Sequence, residues 1–231
     1  GPDLDLQTAR ATLRAEGQAI AALAGRLDEA FARAVELLLG CEGQVVLTGI
    51  GKAGLIARKV SATLASTGTP SIFLHPVEAL HGDLGRLGPA DVVVALSHSG
   101  ATDELVRLLD HVKRRGARLA AITGAVEAPL GRHADVAICY GPVEEACPLG
   151  LAPTVSTSCM LAVGDALALA VMRRRQFTPE DFAAFHPAGD LGRRLLKVED
   201  AIFFRPGAGL KVVSDALALA DALAQAERVT V

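Results

Sequence analysis

The chain has 231 residues, half of them apolar, with aromatics at 3% and a formal net charge of -3. That predicts one large domain filled by Ala, Leu and Val, with a fragment of a second. The longest cationic runs are Lys113-Arg114-Arg115 and Arg173-Arg174-Arg175, so there is no basic field for a phosphodiester backbone and nucleic acid is not an expected partner.

Apolar residues from Leu4 to Leu39 recur at helical spacing, broken at Gly25, which predicts two helices meeting near that glycine. Short apolar or β-branched runs follow at Gln44–Thr48, Ser71–Leu74, Val92–Leu96, Arg118–Ile122 and Val136–Cys139. Between them lie helical patterns at Ala53–Ser66, Asp103–Arg115 and Pro129–His133. This alternation predicts an α/β fold, a three-layer α/β/α sandwich around a five-stranded parallel sheet, with ligand loops at the carboxyl ends of the strands. The Gly49 loop, the His75–Pro89 loop and the Ser97 loop then share one edge. Thr154 to Arg175 reads as a long apolar helix carrying one buried-type acid, Asp165. Such a helix is expected to cover the sheet and meet a partner subunit. Its most apolar part, Cys159–Met172, reads as too short for a membrane span. Thr178-Pro179-Glu180-Asp181 opens a short helix, and His186-Pro187-Ala188-Gly189 opens another. The N-terminal Gly1-Pro2 shows no signal region. The end of the chain falls inside a strand-like run, Val229-Thr230-Val231, as though a further domain were cut.

The chemistry concentrates at Ser97-His98-Ser99-Gly100-Ala101-Thr102-Asp103-Glu104. Hydroxyls, a glycine and free backbone N–H groups where a helix begins are a natural seat for a phosphate dianion. Glu104 lies two residues beyond Thr102 and is the candidate general base. Its plainer reading is an acid compensating the helix dipole. Gly49-Ile50-Gly51-Lys52-Ala53-Gly54 matches GxGxxG after a strand. The acid that would hold a ribose is missing, because the next strand ends Phe73-Leu74-His75-Pro76 and Glu78 comes late, so a dinucleotide is not expected. Lys52 in a helix first turn opposes the dipole at a cost of roughly 0.3 to 1 kcal/mol, which calls for an anion nearby. Thr154, Ser156 and Thr157 at another helix start read either as capping or as a second edge of the phosphate cradle. His81 and His186 stand beside Gly-rich turns, whereas His75, His111 and His133 read as structural. Cys41, Cys139, Cys147 and Cys159 form no CxxC pair and no ligand spacing with the histidines, so no metal site and no disulfide framework is predicted, and reduced cytoplasmic thiols fit.

With these residues in view, the chain resembles the sugar isomerase (SIS) domain family, and within it the D-arabinose 5-phosphate isomerases of 3-deoxy-D-manno-octulosonate biosynthesis. The likeness runs from about Cys41 to Leu196. It is carried by the Gly49–Gly54 motif, Ala62–Pro70, His75–Gly85, Glu145-Ala146-Cys147-Pro148 with Leu151-Ala152-Pro153-Thr154, and His186-Pro187-Ala188-Gly189. The resemblance implies helices over 1–40, an isomerase domain over 41–196, and a linker with the start of a CBS domain over 197–231. It also implies a cytoplasmic aldose-ketose isomerase that interconverts D-ribulose 5-phosphate and D-arabinose 5-phosphate through a cis-enediol, with no metal and no cofactor. Carried over by position, Glu104 is the carbon base, Lys52 sits near the reacting oxygens or phosphate, and His81 and His186 assist ring opening or proton transfer between oxygens. Gly51, Ser97, Ser99, Gly100, Thr102, Thr154, Ser156 and Thr157 would hold the phosphate, and His98 occupies a variable position. The expected partners are the sugar phosphate and further copies of the chain, a dimer of dimers with shared active sites, with no membrane. The rival expectations are an isomerase of phosphoheptose or hexulose phosphate and a non-catalytic sugar-phosphate sensor.

Overall fold

The computed structural model describes residues 1–186, of which 1–182 form one compact unit and 183 onward belong to a second. The expected helix at His186-Pro187 and the CBS fragment over 197–231 lie outside the described residues.

The chain begins with α1 (Pro2–Leu23) and α2 (Glu29–Leu39), on either side of Gly25 as expected. Asp28 caps α2 by accepting a hydrogen bond from the Ala30 N–H, which satisfies one orphan donor of the first turn. Next come β1 (Val45–Thr48), α3 (Gly51–Ser66), β2 (Ser71–Phe73), α4 (Pro76–Leu80), a 3-10 turn (Asp83–Arg86), β3 (Val92–Ser97), α5 (Asp103–Arg114), β4 (Arg118–Thr123), α6 (Pro129–His133), β5 (Val136–Cys139), α7 (Val155–Arg174) and α8 (Pro179–Phe185). The five strands form one parallel sheet in the order β2-β1-β3-β4-β5, with Val45 beside both Ser71 and Val92, and Val92 beside Arg118.

Successive strand residues face opposite sides, so β1, β3 and β4 feed two cores. Leu47, Val94, Leu96, Ala120 and Ile122 pack with α1, α2, α3 and α7. Val46, Val93, Ala95, Leu119 and Ala121 pack with α4, α5 and α6. Continuous apolar runs such as Val92-Val93-Val94-Ala95-Leu96 are what a strand covered on both faces requires. The edge strand β2 is short, as an edge should be. It is tied in by Ser71, whose hydroxyl donates to the Val45 carbonyl at 2.8 Å and lies 2.9 Å from the Ser61 hydroxyl.

Two differences from the sequence reading have plain causes. The His75–Pro89 stretch is not all loop, because His75 Nδ1 accepts from the Val77 N–H and Pro76 opens α4; five residues are too few to show a period. Helix α7 has 20 residues, and its most apolar 18-residue window has a mean hydropathy of 1.7, long and apolar enough to cross a bilayer by length and composition, so the expected shortfall does not hold. Half of that apolar window is buried within the protein. Gly164 lets α7 press on α3, since a Cβ there would lie 2.3 Å from a Val60 methyl. Asp165 is not buried but is paired with Lys59. Helices α1, α2 and α3, together with the sheet, cover α7 within the chain, while Leu169 stays exposed.

Candidate active site

The strand order reverses direction between β1 and β3, and in doubly wound sheets ligands bind outside the carboxyl ends at that switch point. A hollow of about 250 Å³ lies there, lined by Lys52 from the start of α3, Ser97, His98, Ser99 and Thr102 from the β3–α5 loop, and Ser156 and Thr157 from α7. Three segments that the sequence reading linked only by expectation therefore meet.

The β3–α5 loop is held from within. The Ser97 hydroxyl accepts from the Gly100 N–H at 3.1 Å and lies 3.0 Å from the Thr102 hydroxyl. The Ser99 hydroxyl accepts from the Ala101 N–H at 3.2 Å. Gly100 takes φ +63°, and a Cβ there would sit 2.8 Å from the Ala128 Cβ, so both the conformation and the space demand glycine. Since the Thr102 hydroxyl faces Ser97, it does not cap α5. Helix α3 also starts without a side-chain cap and without an acid in its first turn, behind Gly51 at φ +58°. Lys52 forms no ion pair among the described residues. Of these two uncapped starts, that of α3 carries a free ammonium and no acid and so attracts an anion, whereas Asp103 and Glu104 already offset the dipole of α5.

The third helix start differs. The Glu145 carboxylate accepts from the Thr154 N–H at 2.7 Å, the Thr154 hydroxyl at 3.1 Å and the Ser156 N–H at 3.2 Å. The chain thus supplies its own anion to α7: Glu145 takes the free N–H groups, the Thr154 hydroxyl donates to Glu145 and makes no cap of its own, and Thr154 does not line the hollow. Burial pushes the Glu145 carboxyl up, but the hydrogen bonds from Ser156 and Thr154 outweigh it and hold the group below its usual value. A carboxyl lowered in the folded state stabilises fully above its unfolded value of about 4.5 and stops doing so as pH falls through the lowered folded value. Glu145→Gln is therefore expected to lose about 1 to 2 kcal/mol at pH 7. That deficit against the parent should shrink below about pH 4.5, as denaturant melts at pH 7 and pH 3.5 would show.

Of the other candidates, Glu104 is exposed in the first turn of α5 and His81 is exposed where α4 ends, and neither lines the hollow. His186 is the last described residue and belongs to the second unit. His75 and His133 are structural: His75 caps α4, and His133 Nδ1 lies 2.8 Å from the Pro129 carbonyl. A larger hollow of about 540 Å³ opens at the amino ends of the strands, between Arg33, Cys41, Asp91, Arg118 and Asp135. Three of its four acids are already committed, Asp91 to the Gln44 and Gly88 N–H groups, Asp135 to Lys113 and Arg118, and Glu36 to Arg174.

Sequence reasoning gave no role to Glu145, beyond its place in a family motif, or to His98. Glu145 lies nine positions before the hydroxyl cluster it caps, and only the folded loop brings it back. His98 had one signal, its place between the two cradle serines.

A doubly wound parallel sheet with a hydroxyl- and lysine-lined hollow at its switch point defines a ligand-binding type of α/β domain. The chain belongs to the SIS domain family, whose model matches residues 38–170. Arabinose 5-phosphate isomerase KdsD of Pseudomonas aeruginosa is 49% identical over 224 residues, covering 96% of this chain and 68% of its own length. Arabinose 5-phosphate isomerase KpsF of Escherichia coli is 47% identical over 192 residues, covering 83% of this chain and 61% of its own. The chain thus spans 61 to 68% of the length of these two relatives. Among solved structures, an Escherichia coli CFT073 protein in complex with arabinose 5-phosphate superposes with a TM-score of 0.78 at 40% identity, covering 81% of this chain and 99% of that one.

Proposed function

We propose that the chain is an aldose-ketose isomerase that interconverts D-ribulose 5-phosphate and D-arabinose 5-phosphate in the cytoplasm, at the first step of 3-deoxy-D-manno-octulosonate synthesis. The observation that carries this reading is the hollow at the switch point, where two uncapped helix starts, Lys52 and the hydroxyls of Ser97, Ser99 and Thr102 converge. The names of the relatives supply the substrate. The phosphate sits on the α5 start, held by the loop hydroxyls and by the backbone behind Gly51 and Gly100. Glu104 takes the proton from C1 of the ketose and returns it to C2 of the aldose. Lys52 stabilises negative charge on the reacting oxygens or the phosphate. His81 and His186 move protons between oxygens or open the sugar ring.

The substrate assignment is tested by comparing kcat/KM for D-ribulose 5-phosphate, a heptulose 7-phosphate and a hexulose 6-phosphate. Preference for the pentulose phosphate by tenfold or more supports it, and preference for either larger ketose overturns it. The cradle is tested by Ser99→Ala, which is expected to raise KM several-fold with kcat nearly unchanged, as loss of uniform binding does. An unchanged KM would remove Ser99 from the phosphate site.

The reading includes a homo-oligomer, a dimer of dimers, whose sites draw residues from neighbouring copies. It is supported by Glu104 and His81 lying exposed and outside the hollow of a single chain. Mixing inactive Glu104→Gln and His186→Ala proteins under subunit exchange should restore activity well above either parent. No recovery despite proven exchange would place the whole site in one chain.

A further inference from the structure

His98 lines two hollows at once, the phosphate cradle and an adjoining one of about 590 Å³ bounded by Val143, Glu145, Leu151 and Pro153. Its ring is fixed on three sides. Nδ1 lies 2.9 Å from the Tyr140 hydroxyl, and the two rings stack with centroids 5.7 Å apart at 16°. The third side is Gly124, where a Cβ would come within 2.6 Å of Nδ1. The backbone below is pinned as well, with the His98 carbonyl accepting from the Gly124 N–H at 3.1 Å.

These contacts decide the tautomer. Tyr140 is 1% exposed, and burial pushes its phenol well above the usual range, so the hydroxyl keeps its proton. A buried O–H must donate. Among the described residues the hydrogen-bond partner of that hydroxyl is His98 Nδ1, which must therefore accept. The proton of a neutral imidazole then sits on Nε2, the one ring nitrogen left to meet a ligand. In a loop whose other polar side chains are hydroxyls, this supplies a rigid donor that needs no reordering on binding.

We propose that His98 is a substrate-binding residue that donates a hydrogen bond from Nε2–H to a phosphoryl oxygen of the bound sugar phosphate, with Tyr140 as the positioning residue that fixes its ring and tautomer. This rests on the isomerase reading for its substrate but not for its anion. Inorganic phosphate is therefore used as a probe alongside turnover.

The test exploits the two amides that mimic the two ring nitrogens. The glutamine amide nitrogen reaches the place of Nε2, whereas that of asparagine reaches only the place of Nδ1. His98→Ala is expected to raise KM about tenfold and to weaken calorimetric binding of inorganic phosphate by a similar factor, with kcat within about threefold of the parent. His98→Gln should recover most of both losses and His98→Asn little of either. Tyr140→Phe keeps the stack and removes only the hydroxyl, so it should raise KM a few-fold with kcat unchanged. It also keeps the test alive if His98→Ala is unstable to heat. Equal behaviour of the Gln and Asn variants, or phosphate affinity unaltered in both His98→Ala and Tyr140→Phe, overturns the proposal. If the parent protein turns over no ketose phosphate, the isomerase reading fails and the phosphate arm still decides the role of His98.

Discussion

Glu104→Gln is expected to bind substrate and lose turnover by about a hundredfold or more, since a positioned general base contributes at least that much. The side chain is exposed in the first turn of α5 and forms no ion pair among the described residues. The fold therefore makes little use of it. Removing its charge forgoes a favourable interaction with the helix dipole of roughly 0.3 to 1 kcal/mol, a change too small to unfold a domain. Steady-state kinetics with a thermal melt separate the two roles. A collapse of kcat at nearly constant KM and melting temperature identifies the base. A rate above a tenth of the parent's would leave Glu104 as a dipole-compensating acid only.

The second large effect belongs to Gly54. A Cβ there would lie 2.6 Å from the Gly49 carbonyl oxygen and 3.1 Å from its carbon, backbone that cannot swing away. Gly54→Ala must therefore push the start of α3 off the end of β1. Overpacking of this kind costs about 1 to 3 kcal/mol, and each kcal/mol lowers the melting temperature of a domain this size by roughly 2 to 4 °C. Because Lys52 and Ala53 line the cradle, KM should rise as well. Gly17→Ala is the contrasting change: nothing lies within 4 Å of its Cβ position in the middle of α1, so helix propensity should make it neutral or stabilising by about 0.5 to 1 kcal/mol. Matched melts of the two variants check the pair. If Gly54→Ala melts like the parent, close approach of α3 to β1 is not what that glycine provides.

The same glycines show how far the sequence could be read. GxGxxG after β1 signalled a tight strand-to-helix turn, and the structure has it, with Gly51 at positive φ and Gly54 under the Gly49 carbonyl. The missing acid after the Ser71–Leu74 run argued against a ribose. The five strands were legible because each is a short β-branched or apolar run between helical periods. Their order was not, since which strand lies beside β1 depends on crossovers that leave no local pattern. The extent of α7 was legible, expected from Thr154 to Arg175 and found at Val155–Arg174, but composition cannot distinguish a helix buried by α1, α2 and α3 from one buried by lipid.

The site divides along the same line. That Ser97, Ser99 and Thr102 would lie together in one loop was legible because their hydroxyls are close in sequence and their bonds to one another and to nearby N–H groups are local. The partners that decide Thr154 and His98 are not local. Glu145 reaches α7 from across a loop, and Tyr140, the chain's single tyrosine, meets His98 from 42 positions away on the strand side of the fold. Spacing alone therefore left the Thr154 cluster open between capping and phosphate binding, and the family resemblance left His98 as a variable position.

The central claim is proton transfer on a phosphorylated sugar held at the switch point. It is tested most directly by incubating the protein with D-ribulose 5-phosphate in deuterium oxide and following the products by proton NMR. The account predicts D-arabinose 5-phosphate carrying solvent deuterium at C2, with D-ribulose lacking the phosphate converted at least about a hundredfold more slowly. Failure of the folded protein to convert the ketose phosphate, or equal conversion of the unphosphorylated sugar, would contradict it.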